Sequence, residues 1–226
     1  MNPPILEAKN ISKTFHYPKK IQILTGISLQ IFPGESIAIV GRSGEGKSTL
    51  LQILGTLETT CSGSIYVDAQ EVTSSNATQI RNTKIGFVFQ DFHLLEDYTV
   101  LENVLMRARI ARMSIGSGSM ARKSACELLE KVGLADRVNY HTKLLSGGEK
   151  QRVALARAMC NDPSVILADE PSGNLDRDTA QIIHDLLLRF PQEEGKALLL
   201  VTHDRELAKR CTRNYELRNG QLHPIQ

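Results

Sequence analysis

The chain has 226 residues, of which 41% are hydrophobic and 23% charged, and a formal net charge of +2; these values are ordinary for one globular domain. The small net charge, without a Lys/Arg block or any tryptophan, argues against a nucleic-acid-binding surface. Four cysteines without metal-ligand spacing indicate reduced thiols in a cytosolic protein. The N-terminus lacks an apolar signal core, and no apolar run approaches the roughly 20 residues that span a bilayer. We therefore expect any link to a membrane to come through a partner.

The first forty residues are predicted to be rich in strands. Residues 5–11 and 21–31 alternate apolar and polar side chains, which is typical of strands with one buried face. Residues 36–40 form a short apolar run, the pattern of a strand buried on both faces. A helix is predicted at residues 48–57, after a glycine-rich loop.

This loop matches the pattern GxxxxGK[ST]. Its residues are Gly41, Arg42, Ser43, Gly44, Glu45, Gly46, Lys47 and Ser48, followed by Thr49. The glycines let several backbone N–H groups converge on one point, and the N-terminus of the following helix adds its positive end. In this pattern the lysine reaches the β- and γ-phosphates and the serine hydroxyl ligates Mg²⁺. The sequence therefore predicts that residues 41–49 bind a nucleoside triphosphate.

The middle of the chain changes to helical periodicity. Residues 91–160 are predicted to be mainly helical, with Ala125, Leu128 and Leu129 on one face of a helix at 121–132. Further strands are predicted at residues 64–68, 85–89, 165–168 and 198–202, and further helices at 178–189 and 206–210. This alternation predicts an α/β fold of one domain, 1–226, whose mainly parallel sheet carries helices on both faces and an inserted helical subdomain at 91–160.

Two carboxylates follow the predicted strand at 165–168. At the carboxyl edge of a parallel sheet, Asp169 and Glu170 would lie beside the phosphate loop. Asp169 would then hold Mg²⁺, and Glu170 would polarise a water molecule for in-line attack on the γ-phosphate.

The segment 145–152 (LSGGEKQR) contains a second group suited to an anion. The Ser146 hydroxyl and the N–H groups of Gly147 and Gly148 stand at the start of a helix. One chain needs one γ-phosphate site, so a second group of this kind calls for a partner chain. The segment resembles the LSGGQ signature of the ABC ATPase family, with Glu149 in the last position.

The resemblance to this family implies a P-loop NTPase core with an N-terminal antiparallel β subdomain. It also implies ATP and Mg²⁺ as ligands. The signature residues Ser146, Gly147, Gly148 and Glu149 of one subunit would close over the nucleotide of another. The product would be a two-fold, head-to-tail homodimer.

The resemblance extends over nearly the whole chain. Gln90 corresponds to the Q-loop glutamine, which touches Mg²⁺ and the attacking water, and His203 corresponds to the switch histidine at the γ-phosphate. The segment 172–176 (SGNLD) looks like the D-loop, which implies that Asp176 lies at the dimer seam. The implied catalytic residues are Glu170, His203, Gln90 and Lys47, and the implied metal ligands are Ser48, Gln90 and Asp169.

Two positions around the phosphate loop concern the contact with adenine and the charge near the phosphates. The adenine-stacking aromatic of the family corresponds best to Phe15, with Tyr17 as the alternative; packing into the core is the other reading of either residue. Glu45 stands where the family usually has a small or uncharged residue. A carboxylate aimed at the phosphates would weaken binding, and we expect Glu45 to point away with a modest effect on affinity.

The family resemblance also implies a transport machine. ATP would close the dimer, hydrolysis would reopen it, and integral membrane permease subunits would receive this motion at the surface after Gln90. There Phe92, Leu94 and Leu95 supply apolar contact area; the alternative is that they pack onto the helical subdomain. Such a chain would lie at the cytoplasmic face of the inner membrane, contact no cargo directly and bind no nucleic acid.

Within the family, the segments 172–176 and 87–95 (FVFQDFHLL) resemble the group that contains lipoprotein-releasing, macrolide-export and cell-division ATPases. The ending 201–210 (VTHDRELAKR) looks most like the lipoprotein-releasing (Lol-type) members, whereas 89–95 also resembles the cell-division members. Two other classes are open. A soluble ABC ATPase acting on DNA or ribosomes would resemble tandem cassettes or carry coiled-coil insertions, and a non-hydrolysing sensor would not need all of Glu170, Gln90 and His203.

Overall fold

A computed structural model describes residues 2–16 and 18–225 of the chain. Over these residues the strands are β1 (Leu6–Phe15), β2 (Ile21–Ile31), β3 (Ser36–Val40), β4 (Ser62–Val67), β5 (Gln70–Glu71), β6 (Ile85–Val88), β7 (Val165–Asp169), β8 (Ala197–Val201), β9 (Arg213–Arg218) and β10 (Gln221–Ile225). The α-helices of the same residues are α1 (Lys47–Leu54), α2 (Ala77–Thr83), α3 (Val100–Ile110), α4 (Met120–Lys131), α5 (Gly147–Met159), α6 (Arg177–Glu194) and α7 (Arg205–Lys209). Short 3₁₀ turns at Ala135–Arg137 and Thr142–Leu144 precede α5.

The N-terminal strands form an antiparallel sheet in the order β2–β1–β4–β5. β2 has its predicted bounds, but β1 runs beyond the predicted end at residue 11 because its pairing with β2 continues to Phe15 and Ile21. Within β1 the in–out alternation shifts after Ala8. Asn10 has a left-handed backbone (φ 51°), and the register with β2 is irregular there.

The larger sheet carries the strands that lead to the site. Its order is β10–β9–β3–β8–β7–β6, with β10 antiparallel to β9 and the other neighbours parallel. The predicted α/β class with a mainly parallel sheet is therefore confirmed. Ile39 pairs with Val201, and Val201 pairs with Asp169, so the carboxyl ends of β3, β8 and β7 meet at one edge of the sheet.

The helices α3, α4 and α5 are inserted between β6 and β7, which pair side by side. They pack against one another, and α5 also contacts β6 and α6. By these contacts α5 belongs to both the inserted helices and the core. The limits 91–160 of the helical subdomain therefore remain a prediction.

Arg107 of α3 attaches the inserted helices to the core. Its guanidinium donates hydrogen bonds to the carbonyls of Asn82 (2.7 Å), Ile85 (2.6 Å) and Ala158 (3.1 Å). Burial lowers the pKa of Arg107 to about 10, which still leaves it protonated at neutral pH. Backbone dipoles of α2, β6 and α5 thus stabilise a buried positive charge at the root of the inserted segment.

Two helix ends differ from the predicted ones. α1 stops at Leu54, and the next residue, Gly55, caps it and lies against the ring of Phe87, where a β-carbon would not fit. α6 continues past the predicted end at residue 189 to Glu194, and Gly195 ends it with a left-handed φ of 63°.

None of the helices in the described ranges combines the length and apolar character needed to cross a membrane.

Candidate active site

The phosphate loop joins β3 to α1 at the carboxyl edge of the larger sheet. Gly46 has a φ of 95°, and a β-carbon there would overlap the side chain of Ile23 on β2. Glycine is therefore required both for the backbone conformation and for the close approach. Lys47 begins α1, and its Nζ donates to the carbonyls of Gly41 and Arg42, both at 2.9 Å. The ammonium is thus held over the loop, within reach of a phosphate bound there.

Asp169 is the last residue of β7 and lies next to the phosphate loop. Its Oδ1 accepts a hydrogen bond from the Ser48 hydroxyl at 3.1 Å. Burial raises the pKa of Asp169, against the opposing effect of Ser48, and the neighbouring Glu170 raises it further. A cation beside Asp169 would stabilise its charged form. The oxygen donors of Ser48 and Asp169, together with the Gln90 amide of the same cleft, suit a hard cation such as Mg²⁺.

Glu170 and His203 join the ends of two adjacent strands. His203 Nδ1 lies 2.9 Å from Glu170 Oε2, and the backbone N–H of His203 donates to the same oxygen at 3.2 Å. The backbone N–H of Glu170 donates to the carbonyl of Val201 on β8 at 2.9 Å. Glu170 has a left-handed φ of 45°, a strained conformation for this residue type and one that occurs preferentially at functional sites.

These side chains line a single cleft of about 500 Å³. The lining residues are Phe15, Ile23, Gly41, Ser43, Gly44, Gly46, Lys47, Ser48, Thr49, Gln90, Asp169, Glu170, Val201 and His203. Of the predicted nucleotide-binding residues, Arg42 and Glu45 do not contribute to this lining. Nor do the signature residues 146–149 of the same chain, all of which lie in the described part of the structure.

Gln90 connects the cleft to the predicted D-loop. Its Nε2 donates to Asn174 Oδ1 at 3.1 Å, and Asn174 Nδ2 donates back to the Gln90 carbonyl at 3.3 Å. Gly173 permits this pairing, because a β-carbon there would lie 3.0 Å from Gln90 Nε2. The Q-loop and D-loop segments are therefore coupled within one chain. The contact of Gln90 with Mg²⁺ stays a prediction.

Phe15 ends β1 at the cleft and leaves 38% of its surface exposed. Lys13 Nζ lies 5.0 Å from the centroid of its ring. A partly exposed aromatic on the wall of this cleft is better placed for stacking on a base than for core packing. The adenine contact itself remains a prediction, and the alternative residue, Tyr17, lies outside the described residues.

The Glu45 carboxylate points away from the cleft. Its Oε2 accepts a hydrogen bond at 2.9 Å from the backbone N–H of Asn219, in the turn between β9 and β10. Glu45 thus ties the outer side of the phosphate loop to this turn. The geometry agrees with the orientation expected from the sequence, and the modest effect on affinity is still to be measured.

The signature segment begins α5 with a reciprocal cap. The backbone N–H and hydroxyl of Ser146 donate to Glu149 Oε2 at 2.9 and 3.0 Å, and the Glu149 N–H donates to Ser146 Oγ at 3.3 Å. Arg137 Nε donates to the other oxygen of Glu149 at 3.3 Å. The Ser146 backbone N–H, its hydroxyl and Arg137 together lower the pKa of Glu149. The carboxylate is therefore ionised and neutralised within its own chain.

The helix that follows the predicted D-loop, α6, packs against the signature helix. Asp176 caps α6, accepting from the Thr179 N–H at 3.0 Å and from the Thr179 hydroxyl at 2.7 Å. These hydrogen bonds lower the pKa of Asp176. Gly148 approaches Thr179 so closely that a β-carbon would overlap its side chain. The location of Asp176 at a dimer seam stays a prediction.

The apolar residues after Gln90 divide between the two alternatives that the sequence leaves open. Leu94 packs against the apolar cluster of the inserted helices, whereas Leu95 is 44% exposed. Asn103 of α3 fixes the backbone at Leu95, because its Oδ1 accepts a hydrogen bond from the Leu95 N–H at 2.8 Å. Phe92 is half-buried near Gly147.

Three contributors to this region are not among the predicted residues. They are Ile23 under Gly46, Asn219 behind Glu45, and His184, whose Nε2 lies 2.7 Å from Ser172 Oγ. A histidine on the apolar face of α6 is the one signal that points to His184. Ile23 and Asn219 carry no such signal, because their roles come from contacts between segments far apart in the chain.

The fold and the cleft define the class of protein. A phosphate loop with its lysine, two carboxylates at the end of a neighbouring strand and a histidine on the second carboxylate make a P-loop ATPase cassette.

Comparison with known proteins gives the family. A family model described as ABC transporter matches residues 24–173. The chain is 64% identical over 219 residues to the lipoprotein-releasing system ATP-binding protein LolD of Protochlamydia amoebophila (strain UWE25), covering 97% of this chain and 96% of that protein. It is 47% identical over 223 residues to the protein of the same name in Bordetella avium (strain 197N), with 97% and 96% covered. The chain therefore belongs to the ABC transporter family.

Solved structures show the same fold over the whole chain. A dimeric ATP-binding cassette in a post-hydrolysis state, bound to ADP and Pi, is 38% identical, with a TM-score of 0.88 and 98% of both chains covered. A dimeric bacterial ABC transporter cassette is 39% identical, with a TM-score of 0.86 and 96% of both chains covered.

Proposed function

We propose that this chain is the ATP-hydrolysing subunit of a membrane complex that releases lipoproteins from the bacterial inner membrane. The observation that carries the ATPase part is the contact of Glu170 with His203 in the cleft that also contains Lys47. The cargo is supported by the names of the relatives at 64% and 47% identity, each matched over nearly its full length.

The cleft supplies the groups that hydrolysis of a γ-phosphate requires. Lys47 exchanges its two carbonyl partners for phosphate oxygens when ATP binds, since the ammonium gains more from an anion than from neutral acceptors. Glu170 positions a water molecule and accepts its proton during in-line attack. His203 orients that carboxylate and contacts the γ-phosphate.

The proposal includes Mg²⁺ held by Ser48, Asp169 and Gln90. Its support is the Ser48–Asp169 hydrogen bond and the burial of the Asp169 carboxylate. When bound, the ion supplies charge neutralisation at the β- and γ-phosphate oxygens. Ser48 and Asp169 would hold the ion, and Lys47 would remain free to bind phosphate.

We infer that two copies of the chain act together. Ser146, Gly147, Gly148 and Glu149 are suited to an anion but do not line the cleft of their own chain, so they would serve the nucleotide of a second copy. The dimeric state of the related cassettes favours this arrangement. Asp176 caps the helix that packs directly against Gly148, near the same face.

A membrane subunit would bind an exposed apolar surface formed by Leu95, Tyr98 and Leu144. Leu144 is 69% exposed. The backbone N–H of Thr142 donates to the Tyr98 carbonyl at 3.1 Å, which brings the two segments together. Since this surface follows Gln90, binding there would couple the partner to the cleft. The chain would then lie at the cytoplasmic face of the inner membrane, without contact to cargo or nucleic acid.

Purification of the tagged chain from membranes of its own cell, followed by mass spectrometry, tests the assignment. We expect a permease with a large extracytoplasmic domain together with lipoproteins. A division-type or drug-export permease would replace lipoprotein release by one of the sister functions. Recovery with ribosomes or DNA alone would refute the transport role.

The docking surface is tested by the double variant Leu95→Asp and Leu144→Asp. It is expected to lose the permease while still binding ATP. The matched control is the double variant Ile110→Asp and Met113→Asp, which places the same charge on two comparably exposed apolar residues at the other end of α3. Equal loss of the permease in both variants would contradict the proposed surface.

A further inference from the structure

A second contact, besides the one between Glu170 and His203, joins the loops that follow β7 and β8. Ser172 lies two residues after Glu170, and Asp204 directly follows His203. His184, on the buried face of α6, lies between them. Its Nε2 is 2.7 Å from Ser172 Oγ and 4.0 Å from Asp204 Oδ2.

Both partners of His184 are themselves fixed to their loops. The Ser172 carbonyl accepts a hydrogen bond from the Leu175 N–H at 3.1 Å. Asp204 caps α7 and accepts from the Glu206 N–H at 2.8 Å. The imidazole is 5% exposed, and an apolar side chain would fill this position without the desolvation cost of a polar ring. The polar contact therefore needs a reason beyond packing.

We propose that His184 is a positioning residue for ATP hydrolysis, which holds Glu170 in register with His203 by anchoring Ser172 to α6 beside Asp204. The proposal rests on the ATPase function proposed above. In the proposed state the neutral imidazole has its proton on Nδ1, and Nε2 accepts a hydrogen bond from the Ser172 hydroxyl. This anchor lies two residues from Glu170, whose left-handed backbone requires support from its surroundings.

Burial of the ring favours this neutral state, although the two nearest aspartates oppose it. The charged side chains that face it from α6 and α7 are Arg177, Asp185, Asp204, Glu206 and Arg210. Burial lowers the pKa of His184, and Arg210 acts in the same direction against the two aspartates. Arg210 also pairs with Asp185 at 2.6 Å, so part of the charge of that carboxylate is neutralised. Protonation in acid would turn Nε2 into a donor facing Asp204 and would end the hydrogen bond that it accepts from the Ser172 hydroxyl.

The test compares His184→Phe, His184→Gln and Ser172→Ala in the complex purified from membranes, with MgATP as substrate. His184→Phe keeps a planar ring, of somewhat larger volume, and removes the polar contact. We expect it to lower kcat about tenfold and to change KM for ATP by less than about twofold, because a small misplacement of reacting groups affects the chemical step rather than binding. His184→Gln, whose amide can reach the Ser172 hydroxyl, is expected to restore most of kcat.

Two further measurements separate positioning from simple packing. The double variant of His184→Phe with Ser172→Ala should be no slower than the worse single variant, because both remove the same contact. The control Leu188→Ala deletes buried volume one turn along α6 and should lower thermal stability with kcat unchanged. The wild-type kcat should also fall in acid along a limb that is missing in His184→Gln.

The proposal is overturned by an unchanged kcat in His184→Phe, by multiplying losses in the double variant, or by an equal loss in Leu188→Ala. If His184→Phe does not fold, an unchanged kcat in Ser172→Ala overturns it instead. Absence of hydrolysis by the wild-type complex would refute the ATPase function and the positioning role with it. Hydrolysis by the wild type, lost in Glu170→Gln but unaffected by His184→Phe, would refute the positioning role alone.

Discussion

Two regions of this chain offer a helix N-terminus and glycine N–H groups to an anion, and they differ in what surrounds them. At the phosphate loop, Lys47 Nζ donates to two backbone carbonyls, and the end of β7 brings Asp169 and Glu170 to the same cleft. At the signature segment, Ser146 and Glu149 bond to each other. A helix N-terminus becomes a nucleotide site when a sheet edge adds further groups to it. The signature segment lacks that edge, and in the dimer proposed above a second chain would provide it.

The largest effect on hydrolysis is expected for Glu170→Gln, in the cleft of the phosphate loop. This variant keeps the shape of the side chain but cannot accept a proton, so kcat should fall by about 10²–10⁴-fold, with ATP binding and dimerisation retained. Phosphate release measures the first effect, and size-exclusion chromatography with ATP measures the second. Wild-type hydrolysis by this variant would remove Glu170 from the role of general base.

The contrast between the two regions is tested directly by Lys47→Ala and Ser146→Ala. Lys47→Ala should weaken ATP binding by about 2–5 kcal/mol, the cost of removing one partner from a buried charge pair. Ser146→Ala should leave the affinity of the single chain unchanged and reduce hydrolysis, since its hydroxyl would act on the nucleotide of the partner. Binding is measured with a fluorescent ATP analogue below the dimerisation concentration. Equal loss of affinity in both variants would contradict the proposal that Lys47 binds the nucleotide of its own chain and Ser146 that of the partner.

The cap of the signature helix predicts a pH dependence of stability. Because hydrogen bonds lower the folded pKa of Glu149 below its ordinary value of 4.5, its stabilisation is present above that value and is lost as pH falls through the lowered pKa. At pH 7, Glu149→Gln should cost about 0.5–1 kcal/mol in the free energy of unfolding. Denaturant titrations should show this difference shrinking towards zero in acid. A difference independent of pH would mean that the charge of Glu149 contributes nothing to the cap.

The smallest effect is expected for Glu45→Ser in the phosphate loop. The carboxylate bonds to the Asn219 N–H outside the cleft, so its removal should change ATP affinity by less than about threefold and cost about 1 kcal/mol of stability. Isothermal titration with ATP and thermal denaturation check the two values. A large gain in affinity would show that Glu45 turns towards the phosphates when nucleotide is bound.

The sequence by itself determined the fold class and the order of parts in the cleft. The signals are local: an apolar run at 36–40, a glycine loop and a helix in direct succession, then a second apolar run that ends in Asp169 and Glu170. Because parallel strands place their carboxyl ends at one edge, this order was enough to predict a shared cleft, and β2 and β3 have the bounds predicted for them.

Only the tertiary structure decided which side chains meet across that cleft. The pairing of Gln90 with Asn174, the bond from Asn219 to Glu45 and the position of His184 between two loops each join residues from separate segments. β9 and β10 were not predicted either, since most of their side chains are only partly buried and give no clear periodicity. The local pattern of apolar and polar residues indicates which face of a helix or strand is buried. The partner of a polar side chain depends on the packing of elements distant in the chain, and one sequence read alone carries no signal for it.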